Sequence, residues 1–210
     1  MFTDYSLLTI YHSQLCTVGE AIALTYLDNI MYVVCRQSST IRLYNTDTYS
    51  PLDTVINVEG MKWPRDVVIC PLDRQLYVAD EGYCIWRVSA DDHSYVKWLP
   101  TISTPDTFYV WRLSLTSRRL IVTSSQSPTL HQYSTVNGQP LCVIQLPQYV
   151  EDLYHAVETT RETFVVCHRG TSQDKQQYVV SELVFVTVVN GYTVSMRVVQ
   201  HIPELLDFSQ

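Results

Sequence analysis

The sequence lacks the features by which several functional classes are recognised. With only six glycines, it contains neither a Gly-rich phosphate loop nor a Gly-x-Ser-x-Gly motif. It has no apolar run approaching the roughly 18 residues that a membrane-spanning helix needs, and its N-terminal segment lacks the basic flank of a secretory signal. Nowhere is Asn followed two residues later by Ser or Thr. These absences argue against nucleotide chemistry, a cofactor and membrane insertion, and they favour a cytoplasmic location.

Charged residues are also scarce, at 17% of the chain, and the formal net charge is −7 with neutral histidines. The charge would stay negative even if all six histidines were protonated. Proteins that bind nucleic acids usually need a basic surface to displace counterions from phosphate. The overall charge therefore argues against a nucleic-acid partner, although local basic patches remain compatible with it.

The six cysteines are spread along the chain, and no two have the two-residue spacing typical of zinc sites. They stand at positions 16, 35, 70, 84, 142 and 167. Most of them lie within apolar runs. Reduced, buried cysteines that act as small hydrophobes are therefore favoured over disulfides.

What the sequence does contain is a repeat of about 44 residues. A short strand pattern recurs four times, as MYVVC, LYVAD, LIVTS and TFVVC. Its second positions are 45, 44 and 43 residues apart, at Tyr32, Tyr77, Ile121 and Phe164. Ten residues before these markers, further alternating runs stand at Ile22, Val67, Trp111 and Tyr154. The four copies cover roughly residues 19–60, 61–100, 101–147 and 148–199.

Each copy contains four short strand patterns separated by proline and polar clusters, and no stretch shows a helical period. Four antiparallel strands in a unit of about 40 to 45 residues are typical of a β-propeller blade. A blade buries its two apolar faces only against neighbouring blades. The sequence therefore predicts an all-β chain that forms a single β-propeller domain over residues 1–210, with four recognisable blades.

One copy carries a family resemblance. The run WPRDVVICPLDRQLYVADEGYCIWRVS, from Trp63 to Ser89, resembles an NHL repeat, with proline opening the first strand, a Tyr-Val-Ala-Asp second strand and an apolar-x-Arg-apolar third strand. The other three copies resemble it in spacing and apolar positions. The acidic residue that ends the second strand, Asp80, is kept in this copy alone. Cys35, Ser124 and His168 stand at or next to its place in the others.

The resemblance also implies an incomplete ring. NHL-type propellers usually have six blades, whereas the residues outside the four copies, 1–18 and 200–210, are too few for one more blade. We expect these termini to share a partial blade, with outer strands from residues 5–15 and an inner strand from residues 200–208. An open ring leaves blade edges exposed, which favours self-association or a partner.

The resemblance places a ligand-binding face on the loops that join strands two and three and on those that join successive blades. The expected residues of this face are Arg65, Asp66, Glu81, Tyr83, Trp111, Tyr154, His155, His168 and Arg169. This mixture of polar and aromatic side chains carries few charges. It suits contact with a protein or peptide better than contact with phosphate.

Two sets of residues could bind a metal ion or take part in catalysis. His155 and His168 are weak candidates for a metal site, because some propeller lyases bind metal through channel histidines but a catalytic metal usually takes three protein ligands. Asp80 could bind calcium or act as a base. The structural alternative, in which it accepts hydrogen bonds from the backbone amides of the following turn, is favoured.

The sequence therefore predicts a noncatalytic propeller module that binds a protein or peptide. A propeller hydrolase or lyase with a channel metal is the first alternative. RNA binding, as in some tripartite-motif NHL proteins, is the second.

Overall fold

The computed structural model describes residues 20–80, 84–99, 109–124, 126–148, 150–160, 162–169, 180–189 and 192–203. Within these ranges the chain forms strands and turns and no helix, as the sequence predicts. No described helix is therefore long and apolar enough to cross a membrane.

The strands follow one another in four groups of four, and each group is a blade. Blade 1 consists of β1 (Ala21–Leu27), β2 (Ile30–Cys35), β3 (Thr40–Asn45) and β4 (Pro51–Asn57). Blade 2 consists of β5 (Pro64–Cys70), β6 (Gln75–Asp80), β7 (Cys84–Ser89) and β8 (Tyr95–Leu99). Blade 3 consists of β9 (Val110–Thr116), β10 (Arg119–Ser124), β11 (Ser127–Ser134) and β12 (Pro140–Gln145). Blade 4 consists of β13 (Glu151–Thr160), β14 (Thr163–Arg169), β15 (Val180–Val189) and β16 (Tyr192–Pro203).

Within each blade, the strands lie side by side in chain order. A single parallel pair, Gln145 with Tyr192, joins the outer strands of blades 3 and 4 into one eight-stranded sheet. The four second strands, which carry the repeat markers, are never neighbours in a sheet. The predicted four-stranded units are confirmed, with blades 3 and 4 joined only through this one pair in the described residues.

The side chains of the four repeat markers are buried in the interior of their blades. Tyr32, Tyr77, Ile121 and Phe164 are at most 1% exposed. Blades 3 and 4 share a core in which Ile121 and Leu130 lie with Phe164 and Val186. Burying such side chains contributes about 1.5 to 3 kcal/mol each, so the buried second strand contributes much of the stability of each blade.

The turns repeat as regularly as the strands. In blades 1 to 3 the turn between the third and fourth strands holds one residue with positive φ, and these residues are Tyr49, His93 and Gly138. Each turn between the first and second strands also holds one, and these residues are Asp28, Arg74, Ser117 and Glu162. The same local backbone shape therefore recurs even where the residue type does not favour it.

The end of the chain departs from the sequence expectation. Strand β16 continues through Gln200 to Pro203, and these residues pair with Leu183 to Val180 of β15. The expectation that residues 200–208 start the inner strand of another blade is therefore wrong for residues 200–203. The reason is that β16 keeps its backbone pairing with β15 past the predicted end of blade 4. Residues 1–18 and 204–208 lie outside the described residues.

The contacts divide the chain into two compact units. Unit 1 comprises Met1–Glu81 and Trp86–Val96, and unit 2 comprises Gly82–Ile85 and Lys97–Gln210. The single domain over residues 1–210 stays a prediction. None of the described cysteines forms a disulfide bond: Cys35, Cys70 and Cys84 are buried, while Cys142 and Cys167 are half-buried.

Candidate ligand-binding face

A β-bulge opens the first strand of every blade. In each case two residues of the first strand face the end of the second strand, which is Cys35, Asp80, Ser124 or Arg169. The extra residues of these four bulges are Ile22, Arg65, Trp111 and Asp152, and β13 has a second bulge directly afterwards, with Tyr154 as its extra residue. A bulge bends the strand and redirects a side chain. Two of the predicted site residues, Arg65 and Trp111, therefore occupy the same position in their blades, that of the extra bulge residue.

In unit 1, the bulge of β5 presents Arg65 and Asp66, which are both half-buried. The carboxylate of Asp66 accepts a hydrogen bond from the backbone N–H of Val67 at 2.9 Å. This bond orients Asp66 at the start of the strand. Glu81 and Tyr83, the other residues of blade 2 that were predicted for this face, lie outside the described residues.

Asp80 has a structural role beside this bulge. It is buried and accepts a hydrogen bond from the backbone N–H of Trp63 at 2.7 Å. It also accepts one from the backbone N–H of Lys62 at 3.2 Å and one from the indole Nε1 of Trp86 at 3.0 Å. The expected structural role of Asp80 as an acceptor of backbone hydrogen bonds is confirmed. The donor amides differ from the expectation, because they precede β5 and do not belong to the following turn. The end of β6 lies beside the start of β5, so the carboxylate of Asp80 reaches the amides just before that strand.

In unit 2, the corresponding bulge presents an aromatic and a cation side by side. The ring of Trp111 lies 6.1 Å from that of Tyr109, and the guanidinium carbon of Arg112 lies 6.0 Å from the Trp111 ring centre. Ser124 holds the start of this strand, because its hydroxyl accepts a hydrogen bond from the backbone N–H of Tyr109 at 3.1 Å. The three side chains Tyr109, Trp111 and Arg112 are half-buried. They combine apolar area with one positive charge.

The strand β13 lies against this group. The hydroxyl of Ser114 donates a buried hydrogen bond to the carbonyl of Ala156 at 2.6 Å, which ties the first strand of blade 3 to that of blade 4. Tyr154 and His155, the predicted contact residues of β13, are half-buried. Burial and, to a smaller extent, the charge of Arg112 lower the pKa of His155 to about 4. His155 is therefore a neutral hydrogen-bonding group at pH 7.

The structure does not bring the two candidate metal ligands together. His155 pairs with Cys167, whereas His168 pairs with Leu153. Side chains of successive residues in a strand point to opposite faces, so His168 lies on the buried side with Leu153 and His155 lies on the other. In the described part of the chain, no group of three His, Cys, Asp or Glu side chains could hold a metal ion. Arg169 ends β14 and pairs with Glu151 through the backbone.

Sequence reasoning placed Tyr109 on this face, within residues 107–111, but it missed Arg112, which accompanies Trp111, and the supporting role of Ser124. The repeat spacing could have predicted the role of Ser124, because this residue stands 44 positions after Asp80. In the structure it accepts a backbone hydrogen bond, as Asp80 does. For Arg112 there was no signal. Its side chain is placed beside Trp111 by the bulge, which the alternation of the strand does not reveal.

Comparison with solved structures shows what this architecture resembles. The chain is similar to hydrazine synthase of Kuenenia stuttgartiensis, with a TM-score of 0.66 and 12% identity over 89% of this chain and 52% of that one. It is also similar to the N-terminal domain of Nup159, a nucleoporin β-propeller domain, with a TM-score of 0.58 and 9% identity over 85% of this chain and 47% of that one. The chain has a β-propeller-type fold.

At such low identity, these similarities concern the fold of the propeller alone. The chain spans about half the length of each matched structure. No family model matches the sequence, and no curated protein matches it either.

Proposed function

We propose that the chain is a noncatalytic propeller module that binds a protein or peptide through the strand-one bulges and the loops beside them. The observation that carries this proposal is the group at the bulge of β9. There Trp111, Tyr109 and Arg112 are half-buried on a backbone held by Ser124. Tryptophan, tyrosine and arginine are the residue types that contribute most to binding energy in protein interfaces.

The chemistry of the surrounding polar groups supports binding over catalysis. Asp80 and Ser124 use their oxygens to hold backbone amides. His155 and His168 point to opposite faces of their sheet. A channel-metal hydrolase or lyase needs converging ligands, and the described histidines do not favour that alternative.

Our proposal includes an NHL-type relationship and a six-bladed ring to which these four blades contribute. The support is the sequence of blade 2 and the similarity to a nucleoporin β-propeller domain. Self-association through open blade edges and a cytoplasmic location belong to the same proposal. Fold similarity alone is a weak basis for function, so a binding experiment must test it.

The test is selection of peptides from a random displayed library on the full chain, followed by affinity measurement with the tightest peptide. We expect Trp111→Ala and Arg112→Ala each to weaken binding by at least tenfold, since both remove interface anchors. The matched control is Tyr95→Ala, which removes a partly exposed aromatic side chain from the outer strand β8. Equal losses in all three variants, or no selected peptide, would contradict the proposed face.

Two further measurements separate the alternatives. Metal analysis of the purified chain should find no stoichiometric zinc or calcium, and metal that disappears in His155→Ala would overturn the noncatalytic reading. Single-stranded RNA should fail to bind even at low salt, since phosphate binding depends steeply on salt and on basic charge.

A further inference from the structure

A second surface lies at the other end of the strands from the bulges. In unit 1 it is formed by four hairpin turns, residues 28–29, 46–50, 71–74 and 90–94, which we name the hairpin end of unit 1. The bulges stand at the starts of β1 and β5, whereas two of these turns follow the ends of the same strands. This surface is therefore separate from the bulges of unit 1.

Backbone hydrogen bonds join the turns within each blade. In blade 1 the N–H of Thr46 donates to the carbonyl of Asn29 at 3.0 Å. In blade 2 the N–H of Ala90 donates to the carbonyl of Arg74 at 2.9 Å. Each blade therefore presents its two turns as one continuous strip.

The side chain of Arg74 joins the two strips. Its NH1 lies 2.9 Å from the carboxylate of Asp28 in blade 1, and its Nε lies 2.6 Å from that of Asp91 in blade 2. The planar guanidinium donates to both carboxylates in fixed directions. The four turns therefore form one connected surface, and the positive charge of Arg74 is balanced within it.

Large apolar side chains are exposed on this surface. Leu72 is 63% exposed, more than any other large hydrophobic side chain among the described residues. Tyr49 is 40% exposed and has φ 55°, a backbone conformation that costs a non-glycine residue roughly 1 to 2 kcal/mol. Contact with a partner would cover both side chains.

The rest of the surface is acidic. Its charged residues are five aspartates and one arginine, which are Asp28, Asp47, Asp73, Asp91, Asp92 and Arg74. Hydrogen bonds from Ser89 and Ser94 lower the pKa of Asp92 to about 2. Its carboxylate therefore stays ionised across the physiological range, and the connected turns present a net negative field around Leu72 and Tyr49.

We propose that the hairpin end of unit 1 is a docking surface for a basic protein segment whose lysines and arginines alternate with apolar side chains. Leu72 and Tyr49 supply apolar contact area, and the surrounding carboxylates supply charge complementarity. The same field repels nucleic acids and anionic lipid surfaces. This binding is independent of the proposed bulge site and takes a partner of different charge.

The test uses the full chain and a labelled arginine-rich peptide interspersed with leucine, measured by fluorescence anisotropy at low and at physiological salt. We expect the double variant D47N/D92N to weaken binding by about tenfold, since two attractive charges are lost. The matched control is D53N/E59Q, which removes two exposed acidic charges of unit 1 outside these turns. Asn at 92 keeps an acceptor for Ser94, so the turn itself should persist.

The apolar part of the surface is tested separately. We expect Leu72→Ser to weaken binding by about fivefold, whereas Val55→Ser, which removes another highly exposed apolar side chain, should leave it within about twofold. If D47N/D92N and D53N/E59Q weakened peptide binding equally, the binding would reflect only a general attraction between opposite charges. That result, an absence of binding, or an unchanged affinity in Leu72→Ser would overturn the proposal. Loss of this binding with intact peptide binding at Trp111 would leave the proposed function standing.

Discussion

At the scale of single residues, the end of the second strand shows how one position takes different chemistry in different blades. Asp80 and Ser124 are equivalent in the register, and each accepts hydrogen bonds from backbone amides that precede the neighbouring first strand. A buried amide without a partner costs about 1 to 3 kcal/mol. The position therefore needs an oxygen acceptor in these two blades, and a carboxylate or a hydroxyl can supply it.

His131 is a second residue whose environment sets its chemistry. It is buried on β11, where its ring stacks on that of Tyr133 at 6.4 Å and its Nε2 lies 3.3 Å from the hydroxyl of Thr129. Burial lowers the pKa of His131 to about 4. The folded protein therefore holds this ring neutral at pH values where the unfolded chain binds a proton.

This difference predicts a specific acid sensitivity. Because the folded pKa of His131 is below its unfolded value of about 6.5, its contribution to stability is fully present above pH 6.5 and is lost as pH falls toward 4. The loss should reach about 2 to 3 kcal/mol for a shift of this size. Urea unfolding at a series of pH values should show a shallower decline in this range for His131→Gln than for the unchanged chain. The exposed-turn variant His93→Gln is the control, and identical declines in both variants would contradict the assignment.

At the scale of elements, the turns between third and fourth strands share a construction that exceeds their sequence similarity. The residue that ends the third strand is Asn45, Ser89 or Ser134, and its side-chain oxygen accepts a backbone N–H two residues later. Such Asx and Ser turns compete locally with strand geometry and end the strand. Four residues after Asn45, Ser89 and Ser134 stand the left-handed residues Tyr49, His93 and Gly138.

Substitutions at equivalent positions should therefore have opposite signs. Gly138→Ala should lower the free energy of unfolding by about 1 kcal/mol, because φ is +73° and a residue with a Cβ is strained in that conformation. His93→Gly should raise it by about 0.5 kcal/mol, because relief of left-handed strain exceeds the added entropy of the unfolded chain. Thermal and urea unfolding measure both changes. His93→Ala keeps the strain and should bring no gain, and a stabilising Gly138→Ala would refute the shared turn geometry.

At the scale of the molecule, a buried ion pair joins blades 3 and 4 within unit 2. The carboxylate of Glu158 is fully buried, and its Oε1 lies 2.8 Å from NH2 of Arg119 and accepts the backbone N–H of Glu162 at 3.2 Å. Its Oε2 has no hydrogen-bond partner in the part of the chain that the structure describes. The pair therefore specifies how the two blades meet more than it adds to stability.

Removal of one partner should be far more harmful than removal of both. Arg119→Met should lower the free energy of unfolding by about 3 to 5 kcal/mol, because the charge of Glu158 stays buried without compensation. The double variant R119M/E158L should recover most of this loss, since two apolar side chains can pack at the junction. The matched comparison is Arg74→Met, whose exposed ion pairs should contribute little to the free energy of unfolding because solvent screens them. Urea unfolding of the unchanged chain, R119M, E158L and the double variant tests the coupling, and additive losses would contradict it.

The blade architecture was largely predictable because each blade is a local unit. Alternating apolar residues define its strands, and proline, glycine and polar clusters define its turns, all within about 44 residues. The markers Tyr32, Tyr77, Ile121 and Phe164 were recognised by spacing alone, and all four are buried. The predicted inner strand from residues 200–208 failed at its start, because a pattern of alternation does not show where one long strand ends.

The sequence by itself determined that the chain forms four units of four strands, since alternation and turn chemistry act between near neighbours. Only the tertiary structure decided which side chains share a face. One extra residue at each bulge shifts the register, which separates His155 from His168 and brings Arg112 beside Trp111. The ion pairs by which Arg74 joins the turns of blades 1 and 2 were equally invisible along the chain, because they connect residues far apart in sequence.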